Sequence, residues 1–260
     1  MIRALVLTGI AMACSLSLAQ EMPNINDVYS PRPAYTNSTW GPTTDAGEVL
    51  DRCAQRLGDA LSLSYDVRVE SPGGTASHIV EAWGTVVLAR GEGGGFDRSR
   101  ITLQGRTGDE GTFLLTIVSA DGRTLIIDRA DARFVELRQL GETTALGRLL
   151  RHLWLPGIAV SSSPLENPRF LRKSIEDGEP LYSIHFMDSV RHEHIYGLFS
   201  QIDALPRTIE RVVPDAAGIP GIVSIRLSQV EIDPPTSSGL FDTIAPEGFS
   251  RVEKFPGLSH

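Results

Sequence analysis

The feature that most constrains this chain is a period of two. From Ile222 to Ile232 the residues Ile222, Ser224, Arg226, Ser228, Val230 and Ile232 alternate with Val223, Ile225, Leu227, Gln229 and Glu231, the pattern of one long β-strand. The run stops at Asp233-Pro234-Pro235, because proline cannot donate to a sheet ladder and so ends pairing and turns the chain away. A short apolar plug, Leu240-Phe241, and a second stop, Pro246-Glu247-Gly248-Phe249, follow.

The same period recurs upstream. Leu61, Leu63, Tyr65, Val67 and Val69 alternate with polar residues up to the turn Ser71-Pro72-Gly73-Gly74. Strands are predicted over 79–90, 96–103, 112–119, 124–128 and 133–140, with Asp121-Gly122 the strongest hairpin signal because both residues accept positive φ. Further strands are predicted over 170–176, 181–187, 191–199, 206–213 and 222–232. The period shifts to 3.6 twice. Thr44-Asp45 caps a predicted helix reaching Gly58, with Val49, Leu50, Cys53, Ala54 and Leu57 on one face. A second runs from Thr143 to Leu155, where Leu146, Leu149, Leu150, Leu153 and Trp154 cluster before Pro156-Gly157. The expected architecture is α+β: a broad curved antiparallel sheet of about ten strands, a half-barrel, with two amphipathic helices covering its concave face. The glycine run from Gly91 leads into a strand and lacks a Gly-Lys-Ser/Thr ending, so it reads as a hairpin tip rather than a phosphate loop.

The net charge of -8 argues against nucleic acid and polybasic membrane binding. Residues 1–19 have the form of a signal peptide: Arg3, a short apolar run, and the small residues of Ser17-Leu18-Ala19 at the cleavage point. A competing box, Ala11-Met12-Ala13-Cys14, would lipidate Cys14. Residues 20–43, rich in Pro, Asn, Ser, Thr and Tyr without periodicity, read as an extended linker, and 44–260 as a single domain. With Cys14 removed, Cys53 is the only cysteine of the two left, so no internal disulfide is expected and Cys53 reads as a small buried hydrophobe.

Asp203-Ala204-Leu205-Pro206-Arg207 opening a strand, the long penultimate strand, Asp233-Pro234-Pro235, Leu240-Phe241 and Pro246-Glu247-Gly248-Phe249 together resemble the LolA/LolB-like superfamily of periplasmic outer-membrane lipoprotein-sorting proteins. The resemblance implies a half-barrel closed by helices over an acyl-chain cavity, a periplasmic location, and a lipid or lipoprotein acyl chain as ligand, with an envelope protein as a further partner. It implies no cofactor.

The residues themselves place Leu63, Tyr65, Val67, Trp83, Leu115, Ile117, Leu149, Leu153 and Trp154 on the face that meets the helices. Periodicity leaves open whether that face is a solid core or the wall of a pocket. His185, His192 and His194 are weak metal candidates: a two-residue turn at Asp188-Ser189 would set His185 across from His192, with no fourth ligand in place. Nucleophile elbows, zincin helices, Walker loops and dinucleotide fingerprints are lacking from the sequence, so a non-enzymatic protein is expected. Two readings follow: an exported carrier of lipid or lipoprotein acyl chains, or a periplasmic sensor and protein-interaction module of envelope-stress signalling.

Overall fold

The computed structural model describes residues 45–71, 79–91, 95–108, 111–137, 145–153, 165–188, 193–214 and 220–255, all of which fall in one compact unit, Ala34–His260. The signal peptide, Cys14 and the linker expected at 20–43 lie outside the described residues.

Helix α1, Ala46–Asp59, starts where Asp45 accepts a hydrogen bond from the Gly47 amide at 2.8 Å, which satisfies one of the free N–H groups of a first turn. Its buried stripe is Ala46, Val49, Leu50, Cys53 and Leu57. At its other end the Arg90 guanidinium donates to the carbonyls of Leu57, Gly58 and Ala60 at 3.0, 2.7 and 2.6 Å. One side chain on the sheet thus holds the helix terminus down. Helix α2, Ala145–Leu153, falls within the Thr143–Leu155 expected, whose remaining residues lie outside the described ones. Its Leu146, Leu149, Leu150 and Leu153 are buried.

The strands are β1 (Ser62–Glu70), β2 (Ile79–Ala89), β3 (Arg98–Thr107), β4 (Thr112–Ala120), β5 (Arg123–Asp128), β6 (Arg133–Leu137), β7 (Leu165–Glu176), β8 (Glu179–Asp188), β9 (Glu193–Ser200), β10 (Pro206–Pro214), β11 (Pro220–Ile232) and β12 (Ser250–Arg251). They form one open, curved, mostly antiparallel sheet in the order β12-β6-β5-β4-β3-β2-β1-β11-β10-β9-β8-β7. Among the described residues twelve strands replace the ten or so expected, one of them the unpredicted two-residue β12 after the second proline stop, and β7 starts earlier than expected, at Leu165. Successive strands pair through hairpins, and Asp121 (φ 52°) with Gly122 (φ 72°), like Asp177 (φ 50°) with Gly178 (φ 83°), supplies the paired positive φ that a tight hairpin of the right twist needs. The long-range pairing is β1 with β11, in register from Leu63↔Ile232 to Glu70↔Ser224 with one shift between Ser64 and Asp66.

Asp233 fixes that pairing. It adopts φ 56°, its Oδ1 accepts the amides of Leu61 and Ser62 at 2.6 and 3.0 Å, and its own amide donates to the Ser62 carbonyl at 2.9 Å. The two prolines after it leave the ladder, and the chain crosses the outer face of the sheet. There Phe241, with Leu240 packed beside it, joins Ala89, Val118 and Ala120 in a small second core, and Arg100 donates to the Leu240 carbonyl at 3.2 Å. Beyond it β12 pairs in parallel with β6 at the sheet edge, and Phe255 returns to the main core.

That main core contains residues of β1–β6, of β8–β11 and of both helices. Twelve strands about 4.8 Å apart make a surface about 50 Å wide, whereas each helix is about 10 Å thick. A flat sheet of that width would leave much of its apolar face in water, so the sheet bends. Two glycines on the inner face of β2 and β3 show where. A Cβ at Gly84 would lie 1.8 Å from the Thr102 carbonyl oxygen, and one at Gly105 would lie 2.3 Å from the Glu81 carbonyl and 2.6 Å from the Phe113 ring. Neither position has room for a methyl group, which is the signature of a glycine kink in a curved sheet. Gly84→Ala is therefore expected to destabilise the fold by about 3 kcal/mol, whereas Gly58→Ala, in α1 with nothing within 4 Å of the new carbon, should stabilise by about 0.5–1 kcal/mol. Urea melts of both variants give the comparison, and equal stabilities would remove the kink from the account.

Candidate functional site

The candidate site is the inner face of the sheet beneath α1 and α2. Leu63, Tyr65 and Val67 of β1 and Leu115 and Ile117 of β4 point into it, and Leu149 and Leu153 of α2 meet them in the same core. Seven of the nine apolar residues singled out from the sequence are thus brought together. Trp154 lies outside the described residues.

Trp83 does not join them. The bulge between Ile79 and Glu81 resets the alternation of β2, so that Ala82, Val86 and Leu88 face the core, while Trp83 stands on the outer face opposite Arg68 and Gln104 at 36% exposure. A one-residue slip inverts every side chain after it, and the sequence carries no mark of the bulge.

Tyr65 links the layers. It is 1% exposed, and its hydroxyl donates to the carbonyl of Leu153, the last residue of α2, at 2.9 Å. Burial pushes its phenol well above the usual range, so it remains a neutral donor to a carbonyl with no further partner within the helix. Burial, with Asp203 adding to it, likewise raises the Cys53 thiol to about 12. A thiol so placed stays protonated and unreactive, in keeping with its reading as a small hydrophobe.

The face is not uniformly apolar. Among the described residues the buried charged side chains are Asp188, Glu193 and Arg211. Asp188 and Glu193 are cross-strand partners at the end of β8 and β9, and Arg211 Nη1 lies 3.4 Å from Glu193 Oε2. Their parity could have revealed them: Glu193 alternates in phase with Ile195 and Phe199, and Arg211 with Ile209 and Val213, all buried.

The Asp203–Arg207 turn acquires a role here. Ala204 takes φ 61°, the Leu205 amide donates to Asp203 Oδ1 at 2.8 Å, and Arg207 donates to Asp203 at 2.9 Å and to both Glu179 oxygens at 2.8 and 2.9 Å. These contacts fix the start of β10 against β8, next to a groove of about 170 Å³ lined by Val49, Arg52, Arg56, Tyr182 and Ile202. That volume is below the few hundred Å³ usual for small-molecule pockets.

His185 and His194 are adjacent on the outer face, with Nε2 and Nδ1 3.0 Å apart. The register of His185 differs from the one expected. His185 is instead registered with Tyr196, because Asp188 pairs with Glu193 and the connection between β8 and β9 is longer than two residues. His192 lies outside the described residues, among which no group of three His, Cys, Asp or Glu side chains could hold a metal ion.

An open antiparallel sheet curled round two helices, its inner face apolar, is the class of architecture these observations define. No family model and no curated protein matches the chain. Among solved structures it is similar to a LolA superfamily protein from Nitrosomonas europaea, at 11% identity over 77% of this chain and 98% of that one with a TM-score of 0.32. It is also similar to the Mycobacterium tuberculosis lipoprotein LppX, at 11% identity over 74% and 97% with a TM-score of 0.46. A chain of the Pseudomonas aeruginosa MucA/MucB complex is matched at 15% identity over 76% of this chain with a TM-score of 0.43, and this chain spans 61% of that one. With scores below 0.5, these similarities carry none of the functional reading that follows.

Two expectations test the geometry. Trp83→Ala should lower stability by less than about 1 kcal/mol, since a half-exposed ring loses little burial, against 3–5 kcal/mol for a core tryptophan. A fluorescence-monitored urea melt decides between the two. Glu179 is acted on by burial, which raises its carboxyl, but the hydrogen bonds from Arg207 and Ser200 and the Arg207 charge outweigh it and hold the group below the usual 4.5. A lowered folded-state value contributes stability that is present above 4.5 and is lost as pH falls through the folded value. In Glu179→Gln the fall in Tm between about pH 5 and about pH 3 should therefore be shallower than in the parent chain, and an identical slope would show that the pair contributes nothing.

Proposed function

We propose that this chain is an exported, non-enzymatic envelope protein of the LolA-like type that binds a lipid or lipoprotein acyl chain between its sheet and α2. The observation that carries the reading is the inner face itself: apolar residues of β1–β5 line it, and the charged side chains buried on it among the described residues are Asp188, Glu193 and Arg211 of β8–β10. An amphiphile has that same division. Each methylene moved from water into such a face contributes about 0.8 kcal/mol, so a long acyl chain is held by area alone. The expected signal peptide fits the periplasm as its location, and among the described residues no helix is long and apolar enough to cross a membrane.

Binding requires the layers to part. Helix α2 has nine residues, too few for a helix to persist on its own in water, and Tyr65 ties its last carbonyl to β1. We place it as the lid, with Leu149 and Leu153 exchanging sheet contacts for ligand contacts. In the purified chain a bound hydrophobic dye should be displaced by a diacyl phospholipid. An engineered disulfide joining α2 to the strand beneath it should slow uptake until it is reduced. No displacement, and no lipid in an organic extract of the protein, would sink the carrier reading. Equal uptake in both redox states would leave a carrier without this lid.

A further inference from the structure

The outer face of β8 and β9 carries an imidazole pair that the lipid reading does not use. His185 Nε2 and His194 Nδ1 are 3.0 Å apart, and the two rings lie 5.3 Å apart between centroids at 17°. His185 also packs on the ring of Tyr196, its cross-strand partner, at 4.8 Å. Both histidines sit inside a continuous antiparallel ladder, with His194 registered on Met187, so the backbone and not a loop sets the spacing. Such rigidity is what a metal-binding pair needs, because little ordering remains to be done on binding.

The spacing is compatible with a right-angled chelate. Two nitrogens bound at about 2.0–2.1 Å and at right angles lie about 3 Å apart, whereas on a tetrahedral ion they would lie about 3.4 Å apart. We propose that His185 and His194 form a bidentate imidazole site for a divalent transition-metal ion that takes tetragonal nitrogen and oxygen ligands, Cu²⁺ or Ni²⁺. Since the described residues supply no third His, Cys or carboxylate, the other positions on the ion face solvent and take water or a ligand from it. The proton now shared between the two facing nitrogens moves on binding to the far nitrogen of the ring that carries it. No net proton is released while both rings are neutral.

The surroundings set the conditions. Burial, His194 and Arg169 together lower the affinity of His185 for a proton, which leaves its lone pair free at neutral pH. Arg169 of β7 is the partner of His185 on its other side, and its positive charge opposes a bound cation as it opposes a bound proton. Among the described residues, the titratable groups on the strands flanking His185 that act on it or lie across from it are Arg169 on β7 and His194 and Tyr196 on β9.

The test is a Cu²⁺ titration of the full chain near neutral pH in a non-coordinating buffer, followed by calorimetry and by electron paramagnetic resonance. One ion per chain with nitrogen hyperfine coupling is expected. His185→Asn and His194→Asn should each weaken binding at least about tenfold at unchanged circular dichroism, since losing one of two ligands removes the chelate. Arg169→Gln should bind at least as tightly as the parent. Cu²⁺ affinity unchanged in both histidine variants, no binding by the parent chain, or loss of binding in Arg169→Gln would each overturn the proposal. Because this face is opposite the apolar one, lipid uptake by the histidine variants should match that of the parent, which separates this site from the carrier reading.

Discussion

The structure depends on one geometric constraint: an open sheet of twelve strands presents an apolar face far wider than two short helices can cover. Bending is the only way to bury it, and bending needs places where neighbouring backbones can close in. Gly84 and Gly105 are such places, since a β-carbon at either would collide with main-chain atoms of the adjoining strand. Once the sheet is bent, residues from β6 and from β8, near opposite ends of the strand order, join a single core. The helices fill the hollow that the bend creates.

Charged side chains then fix the ends of elements rather than their middles. Asp233 holds the first residues of β1 to the last of β11, Arg90 collects the loose carbonyls of α1, and Arg207 ties the turn before β10 to Glu179 at the start of β8. Hydrogen bonds of this kind, with a charged partner, are stronger than neutral ones. They also explain why the C-terminal quarter has its particular residues: Asp203 and Asp233 each clamp backbone amides, and the prolines after Asp233 mark where pairing stops. The outer-face strap, ending in β12 and Phe255, covers the β6 edge that would otherwise offer unpaired backbone groups.

Function, on this reading, follows from the two faces being different. The inner face is a continuous apolar layer bounded at one end by buried charge, and its roof includes a nine-residue helix tied to the sheet by the Tyr65 hydroxyl. The outer face carries the small second core around Phe241, Trp83 and the imidazole pair, and owes its order to cross-strand neighbours. Neither face presents an activated thiol or phenol among Cys53 and Tyr65, both of which burial keeps protonated.

Much of this was legible without coordinates. Strict alternation in β1 put Leu63, Tyr65 and Val67 on the inner face, the 3.6 period put Leu149 and Leu153 opposite them, and Asp-Gly and Asp-Pro-Pro marked where strands turn or stop. Those features are local, fixed by backbone sterics and by the pleat, so the sequence alone determined them. The tertiary structure decided what alternation cannot encode. A bulge after Ile79 turned Trp83 outward, a longer β8–β9 connection placed His185 against His194 and Tyr196, and strand phase buried Glu193 and Arg211. In each case the outcome depends on the register between two strands, and register is a property of the pair: it is set by the sum of contacts across the ladder and by the curvature that brings distant strands into one core.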